Sequence, residues 1–485
     1  MKAARLVQWI LLGFASIGFI VLFLLFARLA FDSPVDAPAG DYGWSEALAA
    51  APGAGQPAEY QDAFTFDGSP VGEETKAFFS RSNGFVASSG VMMILGLSGY
   101  GLIIAAIARR RSGRFAPLAV LGSGGAILLG NWLFGFNTSY PMDHAAGGFL
   151  PSSIGGPLLV EDSLHSDPFD YGLAFTMWTD FFYQAAFAIS SGVFVVGLMA
   201  GRYRTPMVVL AAVATGAFGF PLATAWLWGG GWLSVMGAVD FGGAGNVHLL
   251  AGGVGLAMVA LARICPPMAP WQVDSTTAGI PVRRDPQRAR FGARSLTLFV
   301  IGAVVFLLLP VGMQAGSVLA IDTPVVASVL HNTFLCLGGS ILTAALVSIP
   351  LSIRPRGVTL LVAAIAGLAA IAAPADVLTG LQSSLLGLVA GATSSLLSWA
   401  FDRYHFDDPL GIVSAHLLGA LIGMLAAGIA DPDIPVSAQV LAVAAFAALG
   451  VTIGACIGLL GWMLGLLWTP ADPPEPPPLP EVTTG

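Results

Sequence analysis

Charge is what this sequence has least of. Asp, Glu, Lys and Arg together make up 10% of its 485 residues, while hydrophobic residues make up 56%. A soluble domain carries about a quarter charged residues, so a mean hydropathy of +0.80 places this chain in lipid. Cysteine is scarce too: Cys265, Cys336 and Cys456 are too few and too scattered for a disulfide framework or a cysteine metal motif. No cofactor or metal is expected, because the two histidines that enter apolar segments have no further Cys, His or carboxylate cluster with them. No nucleophile–base constellation is visible, so neither an enzyme nor a nucleic-acid partner is expected. The formal net charge of −8 says little about partners, since acids in exposed loops dominate it.

What the chain does have is apolar length. Crossing about 30 Å of hydrocarbon takes roughly 20 residues. Runs of that order stand near 7–30, 84–108, 116–136, 173–200, 205–227, 244–264, 295–317, 323–351, 357–373, 380–401, 409–430 and 437–468. The 61 glycines suit membrane helices whose backbones approach closely. The first run, with Lys2 and Arg5 ahead of it, reads as an anchor or signal peptide over 1–31. Its apolar stretch is longer than a usual signal core, and Arg28 interrupts the one small-residue site that follows.

Arginine falls on every second loop: Arg109–Arg111 and Arg114, Arg202 and Arg204, Arg263 with 283–294, Arg354 and Arg356, then Arg403. The loops between, 137–172, 228–243, 318–322, 374–379 and 431–436, hold no Lys or Arg. The positive-inside rule puts the arginine loops in the cytoplasm. Beyond the first run this leaves eleven spans with a cytoplasmic C-terminus. Residues 32–83 read as an external loop, 137–172 as a second one able to cover a pore mouth, and 469–485 as a disordered cytoplasmic tail.

Two distant stretches then match. Asp240-Phe-Gly-Gly-Ala-Gly-Asn-Val-His248-Leu-Leu and Asp408-Pro-Leu-Gly-Ile-Val-Ser-Ala-His416-Leu-Leu each place an acid eight residues before a histidine that enters an apolar run. An ionisable group at membrane depth is costly and therefore a functional candidate. Two at equivalent points imply a duplicated scaffold with a site between its halves. Five-span units of odd number are inverted relative to each other. The fold expected is thus an all-α polytopic bundle of two inverted five-helix repeats, about 84–264 and 295–430, plus a last long helix over 437–468.

In this order the motifs resemble the ammonium transporter (Amt/Mep/Rh) family over about 84–468, nearly everything except the first run, its loop and the tail. Asp240-Phe-Gly-Gly leading to His248 is similar to the family's Asp-Phe-Ala-Gly approach to its first pore histidine, and Asp407-Asp408-Pro409 through His416 to the approach to its second. Trp228, twelve residues ahead of Asp240, falls where the family keeps an outer-vestibule tryptophan. Tyr183-Gln184-Ala-Ala-Phe187 resembles the segment of one gate phenylalanine, and Gln314-Ala-Gly-Ser317 the family's Asn-Ala-Gly-Ser. Asn332-Thr333 and Ala366 through Pro374 also stand in family order.

The resemblance implies transport of ammonium or ammonia by an inner-membrane homotrimer with one pore per subunit. Trp228, Phe187, Ser317 and Met313 would form the outer recruitment site and gate, with Asp240 and Gln184 in support. His248 and His416 would line the conduit. Each residue also has a plainer reading: Asp240 and Asp408 as helix caps, Trp228 and Phe187 as belt and core aromatics, Ser317 as a packing residue. His331 reads as structural, and His144, His165 and His405 as solvated. Departures are equally visible. Met313 stands where the second gate phenylalanine is expected, Pro310 replaces a tryptophan, and Ala200-Gly201-Arg202 replaces Ala-Glu-Arg. The family's tail motif is missing, so a PII-type regulator is a doubtful partner. A facilitator of neutral ammonia or carbon dioxide, or a sensor that binds ammonium without carrying it, are the rival expectations.

Overall fold

A computed structural model describes residues 65–66, 69–70, 73–107, 116–140, 173–199, 203–264, 295–321, 323–349, 357–404, 406 and 408–465. The N-terminal run, the loop over 141–172, the arginine stretch at 283–294, the tail, and His144, His165 and His405 lie outside the described residues. Ten helices among the described residues are long and apolar enough to cross a membrane: α1 (Thr75–Ile107), α2 (Leu118–Ser139), α3 (Met177–Met199), α4 (Thr205–Trp226), α5 (Ala244–Leu261), α6 (Leu296–Ala315), α7 (Pro324–Ser348), α9 (Gly380–Tyr404), α10 (Ile412–Ala430) and α11 (Val436–Met463). Between α7 and α9 lies the shorter apolar helix α8 (Gly357–Ile371). Most of its residues are buried against neighbouring helices. A two-residue hairpin pairs Thr65–Phe66 with Ser69–Pro70.

The first helix begins at Glu73, well before the apolar run at 84. Thr75, Lys76 and Arg81 lie in this polar extension, which carries the helix past the hydrocarbon into what the residue pattern marked as loop. At the other end, α11 closes at Met463, and Gly465 takes a positive φ of 64° just beyond it.

Helix directions follow from which backbones touch. On α1, Gly96 lies against Leu309 of α6, and Gly99 against Phe306 and Gly302. On α5, Gly252 lies against Leu417 of α10 and Gly255 against Ile412. In both pairs the residue numbers rise on one helix as they fall on the other, so each first-half helix crosses its second-half equivalent antiparallel. That is the inverted repeat. The apolar interior is contributed by α3, α5, α8 and α10, while side chains such as Leu118, Leu121, Leu129, Leu296 and Val304 point outward, where lipid is the matching solvent.

Candidate functional site

The site grows from two copies of one local device. Asp240, Gly243 and His248 keep the same spacing as Asp408, Gly411 and His416. Gly243 (φ 91°) and Gly411 (φ 69°) are left-handed, a conformation glycine adopts without a Cβ penalty. Each opens a π-helical turn, Ala244–Leu249 or Ile412–Leu417, with the histidine at its fifth position. The amides of His248 and His416 donate to the carbonyls of Gly243 and Gly411, five residues back, at 3.2 and 2.9 Å.

Each acid satisfies the helix end beneath it. Asp240 accepts from the amides of Gly243 (3.1 Å), Ala244 (2.7 Å), Gly245 (2.7 Å) and Asn246 (3.3 Å). Asp408 accepts from Val413 (3.3 Å) and Ser414 (2.9 Å). Burial pushes the Asp240 carboxyl up to about 6 against the opposing pull of those amides, and it raises Asp408 in the same sense. Asp240 is 4% exposed and its oxygens are occupied by backbone, so it does not itself open onto a passing ion.

The imidazoles meet in the interior. Both residues are 0% exposed, and Nδ1 of His248 stands 2.7 Å from Nδ1 of His416, with ring centroids 4.9 Å apart. Only one hydrogen fits between two nitrogens at that distance, so a neutral pair consists of opposite tautomers. The ring that donates through Nδ1 leaves its Nε2 bare; the ring that accepts carries its hydrogen on Nε2. Neither Nε2 has a partner among the described residues. The pair therefore presents one acceptor and one donor to the space beyond it.

Phe194 covers both rings, with centroids 5.3 Å from His248 and 4.3 Å from His416. Tyr100 of α1 stands edge-on to Phe194 at 5.4 Å. Neither was among the sequence candidates. The signal for Phe194 was present: it lies seven residues after Phe187, two helical turns along one face.

A second layer is aromatic. Tyr183, Phe187 and Trp228 form a chain of edge-to-face contacts, 5.1 Å at 85° and 5.2 Å at 77°. The Trp228 indole donates to the Asp240 carbonyl at 2.6 Å, which ties this layer to the cap of α5. The Tyr183 hydroxyl donates to the Met313 carbonyl (2.9 Å) and lies 3.3 Å from the Ser317 hydroxyl, which itself donates to Met313 (2.7 Å). Ser317 Oγ thus spends its hydrogen on backbone and keeps lone pairs to offer. Met313 is fully buried, beside the π-turn residue Gln314. Gln184 follows Tyr183 on α3, and its buried Oε1 has no partner among the described residues. No group of three or more His, Cys, Asp or Glu able to hold a metal occurs among the described residues.

The aromatic layer, the serine and the histidine pair thus stand as three neighbouring groups of side chains around the two turns. The sequence model of the Ammonium Transporter Family matches residues 85–470. Ammonium transporter Amt2 of Archaeoglobus fulgidus is 28% identical over 258 residues, covering 51% of this chain and 52% of the relative, so the chain spans about half of that protein's length. Ammonium transporter Amt1 of the same organism is 27% identical over 354 residues, 72% of this chain and 81% of the relative. Among solved structures, Candida albicans Mep2 has the same fold, with a TM-score of 0.67 at 20% identity over 84% of this chain and 91% of that one. A structure titled Sensor Amt Protein gives 0.70 at 20% identity over 81% and 96%. The chain is a multi-pass membrane protein and belongs to the Ammonium Transporter Family.

Proposed function

We propose that this chain carries ammonium or ammonia across the inner (plasma) membrane, through one hydrophobic pore per subunit of a homotrimer with cytoplasmic C-termini. Trp228, Phe187, Met313 and Ser317 recruit and gate the cation at the outer mouth. His248 and His416 form the conduit beneath. The facing imidazoles at 2.7 Å carry this reading.

The physical reason is desolvation. An ammonium ion stripped of water in a dry passage pays several kcal/mol or more. Neutral ammonia pays far less. Aromatic faces attract the ion at the mouth by about 0.5–2 kcal/mol, depending on hydration. The ion gives a proton to the bare Nε2 of the pair, the shared hydrogen shifts across, and the other Nε2 releases one. The histidines thus relay the proton while the neutral molecule meets imidazole nitrogens able to donate and to accept. Sodium and potassium have no proton to shed and are excluded. Met313 makes a softer, more adaptable gate than an aromatic ring.

The test is uptake of ammonium and methylammonium, with potassium as the control, by cells lacking their own ammonium transporters. Selective uptake is expected for the native protein and its loss when His248 and His416 both become leucine. Uptake retained in that double variant would overturn the relay role. Ammonium-evoked current on a supported membrane separates charged transport from neutral passage of ammonia or carbon dioxide. Saturable ammonium binding without uptake would instead favour the sensor reading, for which the fold it shares with the Sensor Amt Protein is the motivating observation.

A further inference from the structure

Gln314 is buried in a way that its own fold does not repay. It is 0% exposed, and neither Nε2 nor Oε1 has a hydrogen-bond partner among the described residues. An amide sealed from water without partners costs as much as a lost hydrogen bond or more at each end. A methionine or leucine would fill the same volume without that cost. A buried polar group left unmatched by the protein calls for an explanation, and a ligand that pairs with it in passing supplies one.

Its placement shows what passes it. Gln314 belongs to the π-turn Val311–Ala315 at the end of α6, adjacent to Met313 and three residues before Ser317. Gln314 precedes Ser317 by three residues in the chain, while Ser317 itself faces Tyr183 and Met313. Its carbonyl occupies the space over Gly242, where a Cβ would stand 2.5 Å from Oε1 and 3.0 Å from Cδ. Gly243, the next residue, lies against the Phe187 ring and starts the turn that carries His248. The amide is therefore set against the α5 cap, beside the glycine that meets the aromatic layer and opens the turn to His248.

We propose that Gln314 is a substrate-binding residue, a station between Ser317 and the histidine pair. Its Oε1 accepts a hydrogen bond from an N–H of ammonium or ammonia, and its Nε2 donates to the ammonia lone pair. A neutral amide suits this depth: a carboxylate would hold the cation too tightly to release it, and an aliphatic side chain would offer it nothing. Gly242 is the positioning residue that leaves room for the carbonyl. The inference rests on the transport reading, and its test separates the two.

Proteoliposomes loaded with the native protein report ammonium chloride entry as a change of internal pH, whose initial rate gives KM and maximal rate. Gln314→Met is expected to raise KM roughly tenfold, the effect of one lost hydrogen bond to a charged group, with the maximal rate within about twofold. Gly242→Ala is expected to raise KM in the same way by displacing the carbonyl. Gln314→Asn in the Gly242→Ala background, one methylene shorter, is expected to restore it. An unchanged KM in both Gln314→Met and Gly242→Ala, beside a working native protein, overturns the assignment. A fall in maximal rate alone gives Gln314 a merely structural role and overturns it as well. Absence of ammonium entry with the native protein overturns the transport reading, and this inference with it.

Discussion

His248 and His416 are uncharged partners by necessity of place. A second proton on this pair would bury a cation with no carboxylate beside it, since Asp240 and Asp408 spend their oxygens on backbone amides. Phe194 packs against both rings from one side, stacked on His248 and tilted against His416. Phe194→Ala is expected to cost about 3–5 kcal/mol as a buried large-to-small change. It should also slow uptake more than its stability loss explains, because both imidazoles gain freedom. Thermal unfolding in detergent beside initial uptake rates checks both parts.

Asp240 carries a pH prediction with a definite sign. The native carboxyl keeps its proton up to about 6, against 3.8 for the ordinary group, so between those values the native state binds more protons than the unfolded chain. The stability this group contributes is fully present below 3.8 and is lost as pH rises through 6. Acidification from pH 7 to 5 should therefore raise the melting temperature of the native protein relative to Asp240→Asn, which has no proton to gain. A steeper rise in the variant would contradict the assignment.

At the scale of elements, the paired π-turns decide where the histidines point. Gly243→Ala and Gly411→Ala force a β-carbon into left-handed backbone and should each destabilise by about 1–2 kcal/mol. Gly411→Ala should cost the more, because its Cβ would also stand 2.6 Å from Val362 and 2.9 Å from Ala415, while the nearest atom at Gly243 is 3.1 Å away. Gln439 is a further tie: its amide receives the Val239 N–H and donates to the Val239 and Met424 carbonyls, all at 2.9 Å, pinning the strand of loop that leads into Asp240. Gln439→Leu should lower the melting temperature and loosen the Trp228 layer, seen as a red-shifted tryptophan emission.

Much of this was legible in the residues. Apolar length alone marks the helices, since lipid leaves a spanning segment little choice but to be one. The acid-to-histidine spacing marks the paired sites. What could not be read has physical causes. The start at Glu73 was hidden because a helix leaving the membrane becomes polar and then looks like loop. The π-turns were hidden because they differ from α-helix by one hydrogen-bond register, a choice made by packing rather than by any residue type. Phe194 passed for one more buried aromatic in an apolar run until its contact with both imidazoles was known. Gln314 was visible only as a departure from a motif; its unpaired amide belongs to the tertiary structure.

For the whole molecule, the antiparallel crossings of α1 with α6 and α5 with α10 act as two rivets between the halves. Gly99 meets the backbone of Phe306 and Gly302, which cannot swing aside as a side chain could. Gly99→Val should part α1 from α6, cost about 1–3 kcal/mol by overpacking, and reduce the yield of folded protein. Size-exclusion profiles of the solubilised variants would show it.

If the proposed conduit runs past the pair, the lone hydrogen shared by His248 and His416 would give it a memory. A proton accepted at the bare nitrogen and shed from the opposite ring would leave the pair with its polarity reversed, the first nitrogen now occupied and the other empty. No second proton can follow in the same direction until the pair is reset. On that reading any charge moved by this route would advance as in a turnstile, one click per reset.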